Sequence, residues 1–185
     1  MTARQVKRLM VAGREIFICD SFADADTAVR VGLLLKTLTY TRTERSRDDT
    51  PVSGTAAAIT DDLLASEPFF GAMRTFGEEM FAGEKFETER VYVNNTVYGE
   101  VYFPHRDCAP ELKNITVLYY GSLKWHSDFG GETIFYNDAY DAEIAVTPRP
   151  NRIIASRGAI LHKGGVPARV CYEQRFSIAY KLKSL

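Results

Sequence analysis

The sequence predicts an α+β chain, helices first and then a β core on which they pack. Three observations carry this. Up to about residue 88 there are two stretches with helical apolar spacing. From Glu89 onward, short β-rich runs follow one another with turn residues between them and no long helix. Aromatics reach 12%, with 10 Tyr and 11 Phe, which favours strands or a lined pocket. The 185 residues, 45% apolar and 25% charged, suit one domain over 1–185. A domain near this size buries roughly 70% of its unfolded surface and needs no disulfide or structural metal. Disorder, collagen and a disulfide scaffold are excluded.

Along the chain, residues 14–20 (REIFICD) alternate like an edge strand. Ser21 is a candidate N-cap for a helix through about Leu38, with Phe22, Ala25, Val29, Leu33 and Leu35 as its apolar stripe. Residues 40–54 (YTRTERSRDDTPVSG) read as a polar loop, either solvated or long enough to cover a substrate. A second helix is expected over 66–82. Ser66 stands at its cap, Pro68 in its first turn, and Phe69, Met73, Phe76 and Met80 on one packing face. Eight strands should follow, at 90–96, 99–104, 114–121, 132–136, 143–147, 152–156, 159–162 and 174–182. Short strands without long helices between them imply a sandwich, barrel or jelly roll. The division is thus a helical part over about 1–88 and a β core over about 89–185, with no repeat or linker.

Charge narrows the function. Lys+Arg is 23 and Asp+Glu is 24, so no basic excess exists for non-specific nucleic-acid binding. No apolar run approaches the roughly 20 residues that span a bilayer, and the first residues lack a leader's apolar stretch. Cys19, Cys108 and Cys171 are odd in number and far apart, which suits a reducing, cytoplasmic setting. The expected partner is a small-molecule substrate, with neither nucleic acid nor membrane.

The chain has 3 histidines: His105, His126 and His162. Two open an H-x-D pattern, His105-Arg106-Asp107 and His126-Ser127-Asp128. Residues i and i+2 on a strand share a face, so an H-x-D at a strand end offers an imidazole and a carboxylate to one ion. His162 ends the apolar run Ala159-Ile160-Leu161 and is the candidate third ligand. Two histidines and one carboxylate form a facial triad suited to Fe(II), and Zn(II) accepts the same set. His105 follows GEVYFP at a strand end, whereas His126 lies in LKWHSDFGG, a loop, and reads as a surface residue. Trp125 and Phe129 beside it read as packing residues. Arg175 opens the last strand run, 13 residues after His162. A buried guanidinium there would hold a carboxylate, and Ser177 faces the same way.

Over about 89–185 these parts resemble an Fe(II)/2-oxoglutarate-dependent dioxygenase of the prolyl-4-hydroxylase-like group. The matching elements run in order: His105-Arg106-Asp107, NITVLYY, WHSDFGGETIFY, ILHKGG and QRFSIAYKL. The resemblance implies a double-stranded β-helix (jelly roll, cupin-like) core with N-terminal supporting helices. It implies Fe(II) held by His105, Asp107 and His162. Arg175 would pair with the distal carboxylate of 2-oxoglutarate, assisted by Tyr120 and Ser177. It further implies O2-dependent hydroxylation of an unactivated C–H with release of succinate and CO2. Related halogenases carry a small residue in place of the carboxylate ligand; Asp107 therefore favours hydroxylation. Which of Asn94, Thr96, Tyr98 and Tyr102 enters the pocket is left open. A sugar, aminocyclitol, amino acid or natural-product intermediate is the expected substrate, with peptidyl proline as the alternative. A zinc hydrolase would leave Arg175 and the GGET segment without a role, and a non-catalytic cupin-like binding domain would bind neither metal nor 2-oxoglutarate.

Overall fold

A computed structural model describes residues 5–185, so the expectation of no leader falls partly on residues outside those described. The elements are β1 (Val6–Val11), β2 (Arg14–Cys19), α1 (Ala25–Thr37), β3 (Thr41–Glu44), β4 (Gly54–Ala58), α2 (Asp61–Ser66), α3 (Pro68–Met80), β5 (Phe86–Thr96), β6 (Ile115–Tyr120), β7 (Thr133–Tyr136), β8 (Ala142–Val146), β9 (Arg152–Arg157), β10 (Leu161–Gly164) and β11 (Arg175–Ser184). They form an 8-stranded sheet in the order β1-β2-β9-β6-β11-β5-β4-β3 and a 3-stranded sheet in the order β10-β7-β8.

The N-terminal part is therefore not simply helical. It supplies β1 to β4 to both margins of the large sheet. β2 matches the strand expected at 14–20 but lies between β1 and β9 and not at an edge, while the other three are weak in sequence: β4 is GTAAA, β3 is TRTE, and β1 carries two cations. Pairing makes them strands: β1 with β2, β4 with β5, and β3 with β4. The first helix begins at Ala25, not beside Ser21, because the Asp24 side chain caps it by accepting from Thr27 N. Ser21 instead takes a turn conformation with φ of 52°. Two apolar pairs compete on α1. Val31 and Leu35 are buried, while Val29 and Leu33 face out. In α3 Glu67 is the cap and Pro68 the first residue.

The last strand explains how the layers are built. Phe176, Ile178, Tyr180 and Leu182 face one way and join Phe69, Phe70, Met73 and Phe76 of α3 in the larger core. Gly77 lets that helix lie close, since a Cβ there would meet Val117 Cγ2 at 2.6 Å. The alternate residues Arg175, Ser177, Ala179 and Lys181 face the space between the sheets. There Ile16, Phe135, Val146, Ile154 and Ile160 form a second, smaller core that closes one end of the space.

The expected strand at 99–104 is absent. Gly99 has φ of 92°, and Pro104 has no N–H to give a ladder. The segment is held by side chains instead. Ser46 Oγ accepts from Phe103 N at 2.9 Å, Arg47 donates to Pro104 O at 2.7 Å, and Ser53 Oγ donates to Val101 O at 2.5 Å. The loop 45–53 is thus stitched to the chain that leads into His105. Among the described residues no helix is long and apolar enough to cross a membrane.

Candidate metal centre

His105 joins the small sheet by a single bridge. Its N donates to His162 O and its O accepts from His162 N, both at 2.9 Å. That pairing sets the two rings 4.6 Å apart. Asp107, two residues on, is fixed by its N donating to Gly158 O at 2.8 Å. The ligand atoms of His105, Asp107 and His162 lie within 4.8 Å of one another.

Tautomers follow from the partners. His105 Nδ1 lies 3.1 Å from Phe103 O and His162 Nδ1 lies 2.9 Å from Ile160 O. A carbonyl accepts only from a protonated nitrogen, so in each neutral ring Nε2 is bare. Both bare nitrogens face Asp107, His105 Nε2 at 3.4 Å from Oδ1 and His162 Nε2 at 3.7 Å from Oδ2. Two lone pairs and a carboxylate repel one another unless a cation lies between them. The donor set therefore fits a divalent metal, and the carbonyls behind the rings are its outer support. Burial pushes His162 down to about 4, which keeps it neutral and able to ligate at neutral pH. For Asp107, burial opposes ionisation, but the Lys181 ammonium beside it outweighs the burial and holds the carboxyl well below the usual range.

Lys181 and Thr116 escaped the sequence reading. Lys181 Nζ forms an ion pair with Asp107 Oδ2, and Thr116 Oγ1 donates to the same oxygen at 2.6 Å.

Arg175 is only 2% exposed. Its Nε donates to Gly131 O at 2.7 Å, and its two terminal nitrogens donate to Ser177 Oγ and Thr133 Oγ1, both at 3.1 Å. None of these acceptors carries charge, so the buried guanidinium is set for an anion. Gly130 and Gly131 make this possible with φ of 65° and 75°, a turn that aims Gly131 O at Arg175. One cavity is lined by His105, His162, Arg175, Ser177, Thr133 and Lys181.

Tyr120 does not line it. The tyrosine is fully buried and donates to Thr133 Oγ1 at 2.6 Å, and its ring lies 5.2 Å from the Arg175 guanidinium carbon. It packs against Arg175 and Thr133, the residues at which the co-substrate contact is expected. Of the open positions, Asn94, Thr96 and Tyr102 enter the cavity, whereas Tyr98 is exposed. Of the loop cations Arg45 lines the cavity, while Arg47 pairs with Asp49. Burial raises the Cys108 thiol, which disfavours a thiolate nucleophile there.

The second H-x-D is elsewhere. His126 is exposed and caps a short 3₁₀ turn, its Nδ1 accepting from Asp128 N at 3.3 Å. Trp125 and Phe129 pack edge-to-face beside it. His126→Ala is expected to leave metal affinity unchanged in a chelator-competition titration; loss of the metal would move the site to this pair.

No family model and no curated protein sequence matches the chain. Solved structures do. A prolyl hydroxylase from Trichoplax adhaerens, in complex with a hypoxia inducible factor peptide fragment, superposes with a TM-score of 0.69 at 16% identity, over 91% of this chain and 83% of that one. A 2OG-Fe(II) oxygenase family oxidoreductase from Burkholderia pseudomallei gives 0.70 at 14% identity, over 91% and 84%. The non-haem alpha-ketoglutarate-dependent epimerase SnoN of nogalamycin biosynthesis gives 0.62 at 14% identity, over 91% and 78%.

Proposed function

We propose that this chain, which has the fold of the prolyl hydroxylases and 2OG-Fe(II) oxygenases, is an Fe(II)- and 2-oxoglutarate-dependent dioxygenase. One observation carries the proposal: the two histidines of the convergent donor set line one cavity with a buried guanidinium that, among the described residues, has no charged partner. His105, Asp107 and His162 hold the metal. Arg175 grips the distal carboxylate of 2-oxoglutarate, with Ser177 and Thr133 fixing the orientation of its fork. When bound, iron and 2-oxoglutarate supply O2-dependent oxidation of a C–H bond, with succinate and CO2 as co-products. The protein orients the substrate over this centre and limits water.

The substrate is a small polar molecule, hydroxylated in the cytoplasm that the widely spaced cysteines suit. Ser46, Asn94, Thr96 and Tyr102 give the cavity a hydrogen-bonding wall, and Arg45 adds a cation. The stitched loop 45–53 supports a bounded site over an open groove. A second reading, peptidyl-prolyl hydroxylation, draws on Val97, Tyr98 and Val101, exposed apolar residues on the turn that carries Tyr102. Residues 1–185 act as one domain in either case.

Succinate release with Fe(II), 2-oxoglutarate and O2, scored against sugars, aminocyclitols, amino acids and proline peptides, tests the assignment. Stimulation by a small molecule is the expected result. Stimulation by proline peptides alone would select the second reading.

A further inference from the structure

We infer that Lys181 and Thr116 are positioning residues that lock the Asp107 carboxylate so that one oxygen is presented to the metal. The inference rests on the metal site proposed above. Lys181 and Thr116 are direct cross-strand partners on β11 and β6, which sets their side chains together. Lys181 Nζ donates to Thr116 Oγ1 at 3.3 Å, Thr116 Oγ1 donates to Asp107 Oδ2 at 2.6 Å, and Lys181 pairs with that same oxygen. The three groups close a triangle. Asp107 Oδ2 is the oxygen nearer His162, yet two donors already occupy it. Asp107 Oδ1 has neither donor and faces the bare Nε2 of His105.

An aspartate free to turn about its last bond can offer either oxygen or chelate with both. Two donors on one oxygen remove that freedom. Lys181 also places a positive charge against the ligand carboxylate, so the triad with its clamp adds no net charge to the metal's own. Arg175 and Lys181 share the inward face of β11 but divide the work, one for the co-substrate and one for the ligand.

Co(II) reports this without turnover. Wild type, Thr116→Val, Thr116→Ser and Lys181→Met are titrated with Co(II) against a chelator, with the visible d–d band recorded and folding checked by circular dichroism. Thr116→Val is expected to lose about tenfold in Co(II) affinity, the scale of such outer-support losses, and Thr116→Ser to retain it. Lys181→Met is expected to change the band shape as the carboxylate gains a second coordination mode. If Lys181→Met does not fold, the Thr116 pair decides alone. Wild-type affinity and band shape in both Thr116→Val and Lys181→Met would overturn the clamp. Absence of a Co(II) band in wild type would instead overturn the metal site itself.

Discussion

Asp107→Ala is expected to abolish turnover and to weaken metal binding by more than the roughly 100-fold that marks the upper end of outer-support losses. The carboxylate is the only anionic donor of the three, and without it two neutral imidazoles face a dication alone. Folding should survive. Removing one partner of a buried ion pair costs about 3–5 kcal/mol, but Lys181 lines the cavity and keeps its bond to Thr116, so the cost falls toward the lower end. Chelator competition and a thermal melt on the same preparation separate the two effects. Undiminished turnover would remove Asp107 from the ligand set.

Arg175→Met is the second large effect, and it falls on the co-substrate alone. Two charge-assisted hydrogen bonds to a carboxylate contribute about 1.5–3 kcal/mol each. Desolvation of the co-substrate carboxylate offsets part of that. The expected net loss of 2-oxoglutarate affinity is on the order of 100-fold, with metal affinity unchanged because Arg175 does not touch the triad. Calorimetric titration of 2-oxoglutarate into Co(II)-loaded protein measures it. An unchanged affinity would show that the anion lies elsewhere in the cavity.

Much of the β core is legible because near-continuous apolar runs mark strands buried on both faces. Residues 114–121 and 152–156 correspond closely to β6 and β9, which lie next to each other at the centre of the sheet. The triad was legible because histidine is scarce in this chain and H-x-D has a strand geometry. What failed did so where distant partners decide structure. GTAAA becomes a strand only beside β5, and TRTE only beside GTAAA. GEVYFP alternates like a strand but is tied down by Ser46, Arg47 and Ser53. Lys181 stands in no motif of its own. The signal was present, since a two-residue period carries the inward face of Arg175 through Ser177 and Ala179 to Lys181. What the sequence alone does not give is the register that sets Lys181 opposite Thr116 and so against Asp107.

The central claim is that one cavity holds Fe(II) through His105, Asp107 and His162 and 2-oxoglutarate through Arg175. An anaerobic titration of metal-free protein with Fe(II) and then 2-oxoglutarate, followed by visible absorption, tests it most directly. A weak charge-transfer band is expected that requires both components, is lost in Asp107→Ala, and needs far more 2-oxoglutarate in Arg175→Met. Folded protein that binds Fe(II) and yields no such band at saturating 2-oxoglutarate would contradict it.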